Sequence, residues 1–141
     1  MKKVAALLAV LILAISAKVW TSSELIEVKD LLPLINSKDK KKIPAIINVG
    51  PMLNIKGAVT YGSASDEKAM EKIKKAATTM NKNKAVVIYC GCCKMEHCPN
   101  IEGAFNFFKE SGFKSVKVLN LPEDLATDWV AKKYPMEPTK K

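Results

Sequence analysis

Arginine is absent from this 141-residue chain, so lysine supplies all 23 of its strongly basic side chains, against 14 acidic ones. A positive balance of this size can attract nucleic acid or anionic membrane surfaces. The lysines, however, are spread along the chain without interleaved aromatic residues and without a recognisable nucleic-acid motif. We therefore interpret the net charge of +9 as a solvated basic surface, which attracts small anions and binds no nucleic acid.

Cysteine and histidine are missing from most of the chain. All four cysteines and the single histidine lie in the nine-residue stretch CGCCKMEHC, from Cys90 to Cys98. A domain of this length can bury a core large enough to fold without disulfide bonds. The need for cross-links therefore does not explain the cluster, and the stretch is the first candidate for a functional site.

Long hydrophobic runs are also lacking, except near the start of the chain. There, Lys2 and Lys3 precede an apolar run from Val4 to Ile15, and the small residues Ser16 and Ala17 follow it. This order is typical of a secretory signal peptide. A retained membrane anchor is the alternative, but a spanning helix needs roughly 20 apolar residues. We predict a signal peptide over residues 1–17, cleaved after Ser16 or Ala17.

The predicted mature chain, residues 18–141, is interpreted as one domain with a charge of 21 − 14 = +7 after loss of the first two lysines. We expect it to be exported, periplasmic or extracellular, and free of the membrane after signal cleavage.

Apolar runs and amphipathic segments alternate along this mature chain. Strands are predicted at Leu25 and Ile26 and in the segments 43–50, 57–61, 85–89 and 115–121. Helices are predicted after Ile26, with Pro33 inside, and in the segments 65–82, 99–113 and 122–134. The alternation predicts an α/β fold with a central, mostly parallel sheet and helices on both faces. In such sheets ligands bind at the carboxyl ends of strands.

Cys90 stands at the carboxyl end of the most strand-like segment, AVVIY. A thiol is nucleophilic as the thiolate, which needs electropositive surroundings that lower its pKa below about 8.5. A loop that enters a helix supplies converging backbone N–H groups and the positive helix end, and Lys94 and His97 add charge. We predict Cys90 as the nucleophile. Cys98 is the second candidate because it precedes Pro99, where we expect the N-cap of the next helix.

The segments VVIYC, ESGF, VKVL and DWVAKKYP, together with AIINVG and IKGAV upstream, resemble the rhodanese-like sulfurtransferases over roughly residues 22–135. The resemblance implies the rhodanese-like α/β fold. It also implies that Cys90 takes a sulfane sulfur from a small anionic donor, carries it as a persulfide and passes it to a thiol or another thiophilic acceptor. No cofactor is implied beyond the persulfide sulfur.

The chain departs from that family at two places. The family loop is typically C-x-x-G-x-R, whereas counting back from Gly112 places Asn100 at the arginine position, ten residues after Cys90. The family commonly has aspartate and then arginine where this chain has Asn48 and Gly50. A bidentate arginine suits a tetrahedral oxyanion better than a lysine does, so its loss argues against thiosulfate as the preferred donor and against the phosphatases of this fold.

The enlarged loop leaves two other classes of function open. In an oxidising compartment its thiols can pair, with Cys90 to Cys93 or Cys98 more plausible than adjacent cysteines, which would suit a thiol–disulfide redox protein. The loop also offers soft ligands for Zn(II) or Cu(I), although its spacing is not that of a zinc ribbon. The metal ligands would then be Cys90, Cys92, Cys93, His97 and Cys98. In the sulfur-transfer reading, the residues that support Cys90 are Gly91, Cys92, Cys93, Lys94, His97 and Cys98.

Overall fold

The computed structural model describes residues 17–139. The predicted signal peptide therefore lies outside the described residues, apart from its last position. Within residues 17–139, no helix has both the length and the apolar character needed to cross a membrane.

Five strands and three α-helices follow one another along the described chain. Their bounds are β1 Leu25–Ile26, α1 Val28–Ile35, β2 Ala45–Asn48, β3 Ala58–Thr60, α2 Glu67–Thr78, β4 Val86–Tyr89, α3 Ile101–Glu110 and β5 Val116–Leu119. A short 3-10 turn, Met95–His97, precedes α3, and a π-helical turn, Ala126–Val130, follows β5. Each strand and α-helix lies within a segment for which the sequence predicts it.

The strands form one sheet in the order β1-β5-β4-β2-β3, and every neighbouring pair is parallel. The predicted α/β class is therefore confirmed. All four residues of β4 are buried, as expected for an apolar, β-branched strand in the middle of a parallel sheet. The ends of β2 and β4 are level, because Asn48 pairs with Tyr89, and this brings the loops that follow them together.

Helices cover both faces of the sheet, as predicted. Alternate strand residues point to opposite faces, so the sheet divides the buried side chains into two clusters. The first cluster packs α2 and α3 on the sheet through Ile73, Ala77, Ile101, Ala104, Phe105 and Phe108. The second packs α1 and the π-helical turn on the other face through Leu31, Ile35, Leu125 and Trp129.

The final helix is shorter than the sequence predicts and has π geometry. The Ala131 N–H donates to the Ala126 carbonyl at 2.8 Å, five residues back. The buried Asp128 carboxylate accepts N–H donors from Glu123 and Asp124 at 2.7 and 3.1 Å, which holds the preceding residues as a cap. These local hydrogen bonds take the place of the regular α-helix that the sequence pattern predicts.

Candidate active site

The site is built on the turn that follows β4. Cys90 comes directly after Tyr89 and is completely buried. Gly91 then turns the chain with a φ of +73°, a conformation that glycine adopts without a steric penalty. Its carbonyl accepts from the Leu125 N–H at 3.0 Å, and a Cβ at this position would lie 2.6 Å from the Leu125 Cβ. Gly91 therefore anchors the loop and supports the orientation of Cys90.

Gly50, after β2, provides the space for the Cys90 side chain. A Cβ at position 50 would overlap the Cys90 sulfur and lie 3.2 Å from the Cys90 Cβ. The Asn48 side chain fixes this turn, because its oxygen accepts from the Gly50 N–H at 3.0 Å while its amide donates to the Met52 carbonyl at 2.6 Å. The chain thus has glycine at the point where Cys90 requires the absence of a side chain.

The Cys90 sulfur is in contact with a second thiol. Its distance to the Cys92 sulfur is 3.1 Å, and the Cys92 sulfur lies 3.5 Å from that of Cys93. Cys92 is exposed, whereas Cys90 and Cys98 are buried. The thiols therefore lead from the interior of the loop to its surface.

Asn100 supplies a polar contact to Cys90. Its amide nitrogen lies 3.4 Å from the Cys90 sulfur, and its amide oxygen accepts the Ser65 N–H at 2.9 Å. The second bond fixes which end of the amide faces the sulfur, because only an oxygen can accept from Ser65. Asn100 also stands immediately before α3, so it brings a donor and the positive end of the helix to one place.

These contacts favour the thiolate of Cys90. The pKa of Cys90 is lowered to about 5, and interaction with the Cys98 thiol is the largest cause. Burial raises the pKa. The Cys92 thiol, the Cys92 N–H and the Asn100 amide lower it further. Burial raises the pKa of Cys92, and donation to Cys90 raises it again. For Cys98, donation to Cys90 is the first cause of a raised pKa and burial the second. These shifts favour a negative charge on Cys90 over one on Cys92 or Cys98.

Cys98 does not occupy the N-cap position that the sequence suggests. The helix begins at Ile101 with Asn100 before it, while Cys98 ends the 3-10 turn in an extended conformation. The pKa of Cys98 is raised, so its thiol stays protonated and is a weaker nucleophile than Cys90 at neutral pH.

The charged residues of the loop lie further out. The Lys94 ammonium is 3.6 Å from the Glu123 carboxylate, and both side chains are more than half exposed. His97 is exposed, and its backbone N–H donates to the Lys94 carbonyl at 3.0 Å. The indole N–H of Trp20 donates to the Met95 carbonyl at 3.4 Å, so the loop is also bonded to the start of the described chain. Lys94 is therefore a partly neutralised surface charge.

Three thiols are close enough to ligate one metal ion. The sulfurs of Cys90, Cys92 and Cys98 lie within 4.8 Å of one another, and in residues 17–139 neither Cys93 nor His97 belongs to this group. An all-thiolate set suits soft ions such as Cu(I) or Zn(II). The five-residue ligand set that the sequence suggests therefore reduces to three.

The comparisons with known protein families, curated proteins and solved structures found no match for this chain.

The sequence did not identify Gly50 and Asn100 as parts of the site. The available signals were the two departures from the family pattern, which placed Asn100 at the position of the loop arginine and Gly50 at the position of the upstream arginine. Gly50 lies on a different loop and Asn100 lies beyond the cysteine stretch at the end of the same loop, so spacing within that stretch carries no information about either contact.

Proposed function

We propose that this protein is a rhodanese-like sulfurtransferase that moves sulfane sulfur through a persulfide on Cys90. The observation that carries the proposal is the environment of Cys90, a buried sulfur at the carboxyl end of the central strand with the Asn100 amide nitrogen at 3.4 Å and the Cys92 sulfur at 3.1 Å, contacts that favour its thiolate. A thiolate in such a position is an activated nucleophile. The sequence resemblance gives the same assignment to the same residue.

The reaction consists of two displacements at sulfur. The Cys90 thiolate attacks the sulfane sulfur of the donor, a new S–S bond forms, and the bond inside the donor breaks with its electron pair on the leaving group. For thiosulfate the leaving group is sulfite. An acceptor nucleophile then attacks the outer sulfur, and the electron pair of the breaking S–S bond returns to Cys90 as the thiolate. The donors that hold this thiolate also lower its leaving-group pKa, which speeds the second step.

The donor we propose is a small anionic sulfur compound, and the acceptor is a thiol or another thiophile. The basic composition of the chain attracts an anion, and the reaction requires no cofactor besides the covalent sulfur. Because the loop has no arginine for a bidentate contact, we expect persulfide or polysulfide donors to react faster than thiosulfate. We further propose that the protein acts outside the cytoplasm, after removal of the signal peptide predicted over residues 1–17.

A turnover assay tests the proposal. Thiocyanate formation from cyanide is measured with thiosulfate and, separately, with inorganic polysulfide as donor, for the wild type and Cys90→Ser. We expect turnover with at least one donor and its loss in the variant, to the rate of the uncatalysed reaction. Equal turnover by both proteins would overturn the assignment of Cys90.

Thiol–disulfide exchange is the second candidate function, and the 3.1 Å contact between the Cys90 and Cys92 sulfurs favours it. In that reaction Cys90 attacks a partner disulfide, and Cys92 attacks the resulting mixed disulfide to release the reduced partner. Reduction of a test disulfide without any thiocyanate formation would select this function over sulfur transfer.

A further inference from the structure

The burial of Cys90 raises the question of how a sulfur atom leaves the site. Its sulfur is covered by Gly50 and by Asn100 and Cys98, all of them buried. The Cys92 sulfur lies 3.1 Å from the Cys90 sulfur, and Cys92, unlike those three residues, is exposed. The surface lies beyond Cys92, so an added sulfur atom reaches it on the Cys92 side once that exposed side chain moves outward from its 3.1 Å contact.

We propose that Cys92 is the delivery thiol of this site, which takes the sulfane sulfur from the Cys90 persulfide and presents it at the surface to an acceptor thiol. This inference rests on the proposed sulfur transfer. It assigns separate tasks to two cysteines: Cys90 acquires the sulfur, and Cys92 delivers it.

The transfer is balanced without an external oxidant or reductant. The Cys92 sulfur attacks the outer sulfur of the Cys90 persulfide, and the Cys92 proton moves to that outer sulfur. The bond between Cys90 and the outer sulfur breaks, and its electron pair remains on Cys90 as the thiolate. An acceptor thiolate then attacks the outer sulfur on Cys92 and leaves the Cys92 thiolate behind.

Geometry favours this direction over attack on the inner sulfur. Displacement at sulfur requires the attacking and leaving atoms to lie on opposite sides, and an S–S bond is about 2.05 Å long. Attack by Cys92 on the Cys90 sulfur itself would expel the outer sulfur on the side of Cys90 away from the exposed Cys92, although Cys90 is completely buried. Attack on an outer sulfur located between the two thiols needs only an outward movement of the exposed Cys92 side chain.

The positions of the two thiols agree with the proposed roles. The Cys90 sulfur is buried, while the Cys92 sulfur both contacts it at 3.1 Å and belongs to an exposed residue. Cys93 is adjacent to Cys92 but does not belong to the group of sulfurs around Cys90. It is therefore a matched comparison with the same chemistry in nearly the same place.

The test follows a single transfer in the full mature protein. Wild type, Cys90→Ser, Cys92→Ser and Cys93→Ser are loaded with inorganic polysulfide, trapped with an alkylating agent at successive times, and mapped by peptide mass spectrometry. In the wild type, we expect the extra sulfur first on Cys90 and then on Cys92. In Cys92→Ser, we expect loading to stop at Cys90 and discharge to glutathione to slow by at least about tenfold, an effect not seen in Cys93→Ser.

The same experiment separates failure of the proposed sulfur transfer from failure of the delivery role of Cys92. Failure of the wild type to load, or equal loading without Cys90, would overturn the proposed function. Loading at Cys90 with undiminished discharge from Cys92→Ser would overturn the delivery role alone, as would release of sulfide together with a Cys90–Cys92 disulfide. The time course in the wild type decides the question even if Cys92→Ser proves unstable.

Discussion

The amide nitrogen of Asn100 lies 3.4 Å from the sulfur of Cys90, ten residues earlier in the chain. The same side chain accepts the Ser65 N–H, so its donor end is directed at the sulfur. This arrangement joins the loop after β4, the start of α3 and the turn before α2 around one atom. An asparagine that serves only as a helix cap would not need the contact to sulfur.

Asn100→Asp is predicted to weaken the thiolate of Cys90. The substitution keeps an oxygen for Ser65, removes the donor and places a carboxylate beside the sulfur, which disfavours a second negative charge and raises the pKa of Cys90. We expect the midpoint of Cys90 alkylation against pH to rise by about one pH unit or more. Asn83→Asp, on the exposed loop before β4, adds the same charge at the opposite end of the strand. An unchanged midpoint in Asn100→Asp, or an equal shift in both variants, would contradict the role given to Asn100.

The alkylation rate of Cys90 in the wild type is predicted to rise with pH in acid and to become constant near neutral pH. Only the thiolate reacts, and the pKa of Cys90 is lowered from the ordinary thiol range to about 5. The alkylation rate of Cys90, followed by peptide mapping, should therefore be level near neutral pH and fall about tenfold for each pH unit well below the pKa. In urea-unfolded protein, the pH midpoint of alkylation for the same peptide should lie close to the ordinary pKa of a thiol. A native midpoint equal to the unfolded one would show that the loop does not stabilise the thiolate.

Gly50→Ala is predicted to disrupt the site by displacing the Cys90 sulfur. The new methyl group overlaps that sulfur, and overpacking of this kind in a closed interior costs about 1–3 kcal/mol. We expect a lower urea midpoint of unfolding and slower sulfur loading. Gly103→Ala is the matched control, since a Cβ there meets no atom within 4 Å and alanine is the better helix former by about 1 kcal/mol. Retention of full loading and stability by Gly50→Ala would contradict the close packing of Gly50 on Cys90.

Much of the fold could be predicted because each regular segment carries a local signal. The β-branched run of β4 and the helical spacing of Ile101, Phe105 and Phe108 are readable without knowledge of neighbours. The final turn differs because Asp128 caps the backbone before it and Trp129 is fully buried, donating to the Pro135 carbonyl at 3.0 Å. The hydrogen bonds are local but depend on the exact path of the chain, and the packing of Trp129 in the core is tertiary, so composition predicts neither.

The candidate site was predictable at its centre and not at its edges. The position of Cys90 follows from strand–helix alternation, because parallel strands present their carboxyl ends to ligands. The contacts of Gly50 and Asn100 depend on which loops meet at that end of the sheet, and the role of Cys98 depends on the path of the 3-10 turn. The spacing of residues in the sequence predicts neither which loops meet nor the path of the 3-10 turn.

The most direct test of sulfur transfer through Cys90 is the intact mass of the protein before and after incubation with a sulfane-sulfur donor, and again after cyanide. We predict that the wild type gains the mass of one sulfur atom, that cyanide removes it, and that Cys90→Ser gains none. The same gain in Cys90→Ser, or a wild type that gains no sulfur and instead loses two hydrogens as a disulfide forms, would contradict the account.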